Sequence, residues 1–266
     1  MNVKGELSGK KAVVCDLDGT LFVGSRPIAP AIRFVTQHAD DVAFYYLTNN
    51  TSKTPEAYLA KLRGAGIRVD EEQILTPLIT LEAYIREKGY GSVYAVANTI
   101  VSRHLSARLP AVEFGFAPQR NQLLALTYDT ELTYEKLRRA AVLLNADPSL
   151  DYVATHGDAC CPSEEGPIPD LGGLIALLRT TNGRAPRHVF GKPSPSLLAP
   201  VLRRFTQEQI AVAGDRLYTD KAMADQAGVD FVCVLSGETT RESLAAYCGP
   251  PPAAVVGTLG DLAWRT

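Results

Sequence analysis

Short apolar runs, each closed by a polar residue, constrain this chain most. Residues 12–15 (Ala-Val-Val-Cys), 42–47, 210–214 and 231–235 are too short for buried helices. They are also too evenly apolar for strands with one wet face, so they read as strands buried on both sides. Helical spacing follows them at residues 29–38, 54–64 and 218–227. Pro55 falls in the first turn of the second of these, Gly64 and Gly66 follow its end, and Gly228 stops the third. Strand–helix alternation of this kind predicts an α/β fold: a parallel sheet with helices on both faces.

The middle of the chain forms a unit of its own. Residues 92–97, 123–127 and 152–155 read as strands, and residues 101–109, 134–144 and 171–181 as helices. Residues 78–187 are therefore expected to be an inserted α/β domain. Residues 1–77 and 188–266 would then form a single core, because motifs that belong together lie on both sides. Near the end, Pro250-Pro251-Pro252 predicts a rigid loop before a last short strand and turn.

Composition narrows the function. Hydrophobic residues make up 46% of the 266, enough for a sizeable core, and the formal net charge is −2. Non-specific nucleic-acid binding needs a basic face that this balance does not supply. No stretch approaches the roughly 18 uninterrupted apolar residues of a membrane span. Met1–Glu6 has no apolar h-region, so a cytoplasmic location is expected. The five cysteines form no CxxC pair. Cys15 and Cys233 lie in strand-like runs and read as core residues. Cys160-Cys161 falls in a polar loop, and adjacent cysteines bridge with difficulty.

Four motifs stand at predicted strand ends, where open α/β sheets bind ligands. The first is Asp16-Leu17-Asp18-Gly19-Thr20. Two carboxylates leaving one strand end can hold Mg²⁺, attack phosphorus or move protons, although Asp and Gly are also ordinary turn residues. The second, Thr48-Asn49-Asn50-Thr51-Ser52, offers a hydroxyl and N–H donors suited to a phosphoryl group, or simply a helix cap. In the third, Gly191-Lys192-Pro193-Ser194-Pro195, an ammonium precedes a helix starting at residues 193–196; it is either a phosphate ligand or a surface lysine. In the fourth, Gly214-Asp215…Asp220, Asp215 completes an oxygen shell for a divalent ion. Asp220 there would hold a metal-bound water or the loop, or merely favour a helix N-terminus.

In this order the four motifs resemble those of the haloacid dehalogenase (HAD) superfamily. The Thr48–Ser52 and Gly191–Pro195 signatures look like its subgroup with a large C2-type α/β cap: NagD-type sugar phosphatases, 4-nitrophenylphosphatases, phosphoglycolate phosphatases and pyridoxal phosphatases. The resemblance implies a Rossmann-like HAD core with an inserted cap domain. It also implies a Mg²⁺-dependent phosphomonoester hydrolase acting through an aspartyl-phosphate. Asp16 would be the nucleophile and Asp18 the acid and then the base. Thr48, Asn49 and Lys192 would bind phosphate. Asp16, Asp215 and the Asp18 backbone carbonyl would hold the metal, with Asp220 behind them. The cap would select the substrate and exclude water.

Ala154-Thr155-His156-Gly157-Asp158 stands where many relatives carry Ala-Thr-Asn-Pro-Asp, and the longer stretch at residues 159–169 departs from them too. His156 and Asp158 are therefore the candidate substrate residues, with a loop capped by its own polar groups as the alternative. An acidic residue there leans towards a small-molecule sugar or polyol phosphate. Another metabolite phosphate (a nucleotide, pyridoxal phosphate, phosphoglycolate), a phosphotransferase or phosphomutase, and a non-catalytic phosphate-binding protein are the other readings. Gly172-Gly173 would admit a close helix approach or form a plain turn. Arg103, His104, Arg108 and Arg120 are further basic candidates, of which Arg103 and Arg108 read as a solvated helix face. Relatives with this cap are often dimers, which leaves a homodimer open.

Overall fold

The structure, a computed structural model, describes residues 6–161 and 166–265. The reading of the N-terminus rests mainly on residues 1–5, which lie outside the described residues, as do residues 162–165 of the 159–169 stretch. The chain divides into two compact units. One comprises Met1–Thr48, Glu56–Leu75 and Lys192–Thr266, and the other Asn49–Pro55 and Thr76–Gly191. Against the expected insertion at 78–187, the second unit also takes in the short segment that carries Asn49.

The first unit is built on a six-stranded parallel sheet. Its order is Ala254–Val256, Asp230–Val234, Ile210–Gly214, Ala12–Asp16, Ala43–Leu47, Ile74–Leu75. Every residue of the Ala12–Asp16 and Ile210–Gly214 strands is buried. Strand alternation divides them between two cores. Val13, Cys15, Phe44 and Tyr46 pack against Phe34 and Val35 of the helix Ala29–Gln37 and Leu62 of the helix Pro55–Gly64. Ala12, Val14, Tyr45 and Leu47 pack on the opposite face against Leu198, Val201 and Met223. Each fully buried Leu, Val or Phe contributes about 1.5–3 kcal/mol. Register pairs Asp16 with Leu47 and Cys15 with Ala213, so three adjacent strands end side by side at Asp16, Thr48 and Asp215.

The second unit carries a five-stranded parallel sheet in the order His188–Val189, Asp151–Ala154, Leu123–Leu126, Ser92–Val96, Glu113–Phe114. Helices Pro77–Lys88 and Thr99–Arg108 cover one face through Leu78, Leu81, Ile85, Val101 and Leu105. Helices Tyr134–Ala146 and Leu171–Asn182 cover the other through Leu143, Leu144, Leu171 and Leu178. Both edge strands are two residues long, too short to leave a periodic signal.

Several expectations need correction. The helix predicted at 218–227 opens with a π-helical turn, Leu217–Lys221, before Ala222–Ala227, because the Lys221 N–H reaches back to the Arg216 carbonyl. The helix predicted after Lys192 begins as a 3₁₀ turn, Pro195–Leu198, and runs into Ala199–Leu202; prolines 193 and 195 supply no N–H to a regular first turn. Cys160–Cys161 is not loop but pairs antiparallel with Ile168–Pro169, and neither cysteine forms a disulfide among the described residues. Ala254–Val256 is not the last strand, since Ala263–Arg265 pairs with Glu6–Ser8. No helix among the described residues is long and apolar enough to cross a membrane.

Candidate active site

Asp16 ends the central strand with its carboxylate buried. Lys192 Nζ donates to Asp16 Oδ1 at 2.6 Å and to Asp220 Oδ1 at 2.7 Å. Lys192, 4% exposed, is thus no surface lysine. Carboxylate oxygens of Asp16, Asp215 and Asp220 lie within 4.8 Å of one another. At that separation two like charges cost roughly 3.5 kcal/mol at an effective dielectric constant of about 20. Burial pushes the Asp16 carboxyl well above the usual range, against the pull of Lys192, and Asp220 and Asp215 push it further. Burial and the Asp220 charge raise Asp215 to about 6. Burial alone would lower Lys192, but the flanking carboxylates outweigh it and hold the ammonium charged.

Asp215 is fixed on one side only. The Glu238 N–H donates to its Oδ2 at 2.7 Å, and Thr239 donates to its backbone carbonyl through Oγ1 at 2.5 Å and through N–H at 3.0 Å. Its Oδ1 is buried with no hydrogen-bond partner among the described residues, as are the hydroxyls of Thr20 and Thr219. Two carboxylate groups in excess of ammonium charge, with one oxygen orphaned, fit a hard divalent cation. Asp220 is committed elsewhere: it holds Lys192, and its Oδ2 accepts the Arg216 N–H at 3.2 Å.

The Asp16–Thr20 turn closes tightly on this cluster. Gly19 has φ +93°, and a Cβ there would collide with the Asp215 carboxylate, so glycine is required twice over. The Gly19 carbonyl accepts from Ser236 Oγ at 2.7 Å. Asp18 is the exposed member, with its side chain 48% accessible and Oδ1 3.3 Å from Lys61 Nζ. Thr48 is buried at the end of its strand, and its N–H donates to the Leu75 carbonyl at 3.1 Å.

The other predicted residues belong to the second unit. Asn49 Nδ2 donates to Asp158 Oδ2 at 3.1 Å, which commits that amide within this unit. The fully buried His156 faces Asp170 Oδ1 through Nε2 at 2.8 Å and Thr155 Oγ1 through Nδ1 at 3.3 Å. A Cβ on Gly172 would lie 2.5 Å from the Gly157 carbonyl oxygen, and the Gly172 N–H donates to the Asp158 carbonyl at 2.8 Å; this is the close approach that glycine permits. His104 and Arg108 both turn to the buried Glu82, at 2.7 and 3.4 Å, and Arg120 pairs with Glu113 at 2.9 Å. Arg103 is exposed on its helix.

Sequence reasoning missed Lys61, Arg216, Ser236, Glu238 and Thr239. The one signal for the last three was a Ser-Gly pair directly after the strand that neighbours Asp215 in the sheet.

A parallel sheet presenting a buried carboxylate, a lysine and two further carboxylates at its strand ends offers a nucleophile and a cation site where open α/β sheets bind ligands. Residues 13–108 match the family described as haloacid dehalogenase-like hydrolases, and residues 189–262 match a second HAD-hydrolase-like family. The chain is similar to the crystal structure of a 4-nitrophenylphosphatase from Thermotoga maritima, with TM-score 0.86 and 31% identity over 96% of each chain. It is 28% identical over 248 residues to the acid sugar phosphatase of Staphylococcus aureus, covering 91% of this chain and 92% of that one. A glycerol phosphate phosphatase from Mycobacterium tuberculosis, solved in complex with magnesium, aligns with TM-score 0.83 and 26% identity over 95% of this chain and 77% of its own. The chain belongs to the haloacid dehalogenase-like hydrolases and is a phosphatase of that family.

Proposed function

We propose that this protein is a Mg²⁺-dependent phosphomonoesterase working through an aspartyl-phosphate at Asp16. The observation that carries the reading is the buried cluster of Asp16, Asp215 and Asp220 around a single lysine, with Asp215 Oδ1 left unpartnered. The Asp16 and Asp215 carboxylates and the Asp18 backbone carbonyl would hold the ion. Bound there, it screens the attacking carboxylate from a dianionic phosphate.

The chain's own residues do the rest. An Asp16 oxygen attacks phosphorus and the ester P–O bond breaks. The Asp18 carboxyl gives its proton to the departing alkoxide. Asp18, now a carboxylate, takes a proton from water as that water attacks phosphorus, and the bond to Asp16 breaks to free phosphate. Lys192 and the Thr48 hydroxyl, with the loop N–H groups, bind the equatorial oxygens. Asp220 keeps Lys192 in place, since its Oδ1 accepts from that ammonium. Asn49 would contribute its backbone N–H, its amide being engaged by Asp158.

For the substrate we propose a sugar or polyol phosphate. The names of the staphylococcal and mycobacterial relatives support it. Asp158, half-buried with its Oδ2 held by Asn49, is the candidate selector of the leaving group. The buried His156 would act through the shape of that loop. A screen of metabolite phosphates with a phosphate-release readout tests the class, and hydrolysis confined to phosphates without hydroxylated leaving groups would refute it. Asp158→Ala should change the ranking of substrates while sparing 4-nitrophenyl phosphate, and a uniform loss would contradict the selector role.

A further inference from the structure

Lys61 stands in the last turn of the helix Pro55–Gly64, and its side chain is only 21% exposed. Three features hold its ammonium in one place. It donates to the Gly24 carbonyl at 3.1 Å, lies 4.2 Å from the centroid of the Phe22 ring, and donates to Asp18 Oδ1 at 3.3 Å. An exposed ion pair normally achieves little, because ordering two mobile side chains cancels the attraction. Here the lysine is ordered by a carbonyl and a ring before the carboxylate is counted, and aspartate has a short side chain. One Asp18 oxygen is therefore gripped. The other makes no hydrogen bond among the described residues and is left for proton transfer.

We propose that Lys61 is a positioning residue for the reaction: it holds the Asp18 carboxylate so that one oxygen stays directed to the proton it must give and then take. The inference rests on the reading of Asp18 as acid and base. It places Lys61 on the leaving-group and water-attack steps, with no part in the attack by Asp16.

The two chemical steps separate this role from a structural one. Esters of 4-nitrophenol leave without a proton donor, whereas an alkyl ester such as glycerol 3-phosphate needs one. Both require Asp18 as base on water. Wild type, Lys61→Met, Lys61→Arg and Asp18→Asn are compared with saturating Mg²⁺ on both esters, with rapid-mixing detection of 4-nitrophenolate. Lys61→Met should lose roughly tenfold in kcat/KM on glycerol 3-phosphate, part of the 10²–10⁴-fold that general acid–base catalysis supplies. On 4-nitrophenyl phosphate its kcat/KM should hold, with a burst more pronounced than in wild type before a slower steady state. Lys61→Arg should restore both.

The inference is overturned if Lys61→Met behaves as wild type while Asp18→Asn shows the leaving-group dependence and the burst. It is also overturned if Lys61→Met loses equally on both esters without a burst. If Asp18→Asn itself shows neither signature, the acid–base reading fails, and the role of Lys61 fails with it.

Discussion

Two carboxylate clusters in this chain look alike on paper and differ in kind. Each unit gathers three potential metal-binding side chains within 4.8 Å: Asp16, Asp215 and Asp220 in the first, His156, Asp158 and Asp170 in the second. In the second cluster the polar groups answer one another. Asp170 Oδ1 accepts from the Leu171 N–H at 2.6 Å and faces His156 Nε2, and Asp158 accepts from Asn49. In the first, one ammonium bonds Asp16 and Asp220, the Asp16 and Asp215 carboxyls are pushed upward by burial and neighbouring carboxylates, and Asp215 keeps an orphaned oxygen. A satisfied polar cluster fixes architecture, whereas one left with surplus charge and an open lone pair is poised to take a cation.

Removing the proposed nucleophile has the largest expected effect. Asp16→Asn should lower phosphate release from any phosphomonoester by about 10⁴-fold or more, the scale on which lost nucleophiles are felt. Activity surviving in a steady-state assay of that variant would remove Asp16 from its role. The second cluster should respond in stability instead. Asp170→Ala leaves the Leu171 N–H and His156 Nε2 buried without their partner, at a cost of about 1–3 kcal/mol. Urea denaturation should show the lowered midpoint, with kcat on 4-nitrophenyl phosphate kept.

Smaller effects test what stands behind Asp215. Arg216 Nε lies 3.0 Å from Glu238 Oε2, and Tyr218 donates to the same oxygen at 3.1 Å. Glu238 in turn presents its N–H to Asp215. Arg216→Met should loosen that brace and weaken Mg²⁺ binding by roughly tenfold, the lower end of such outer-shell effects. Calorimetry on the metal-free variant reads this without turnover.

Acidity sharpens the same contrast. Asp215 is raised in the folded protein, so below the ordinary carboxylate pKa its proton favours the fold, and that contribution is lost as pH rises through about 6. Mg²⁺ must displace the proton, so the metal should raise the melting temperature little at pH 5 and much more at pH 8. An equal gain at both would contradict the assignment of Asp215.

Much of this was legible because strand ends are local. Val13-Val14-Cys15-Asp16 and Val212-Ala213-Gly214-Asp215 each announce a buried strand that delivers a carboxylate. The βα rhythm gave the parallel sheet, and the register of the structure sets these two strands side by side in it. What escaped is what the chain brings together from afar. Ser236 reaches Gly19 across 217 residues, whereas Lys192, 176 residues from Asp16, was expected beside it only through the resemblance of the four motifs. Lys61 reads as one charge on an amphipathic helix until the Asp16–Thr20 turn is laid beside it. His156 was singled out because it departs from a motif, and a motif carries no record of burial. The two-residue edge strands are invisible because two residues have no period.

On the proposed reading the first cluster binds the cation and the second does not. Isothermal titration of metal-free protein with Mg²⁺ at pH 7.5 tests it most directly, with Asp215→Asn and Asp170→Asn run beside wild type. The expected result is binding in wild type, retained in Asp170→Asn and lost in Asp215→Asn. Binding that persists in Asp215→Asn and disappears in Asp170→Asn would contradict the account.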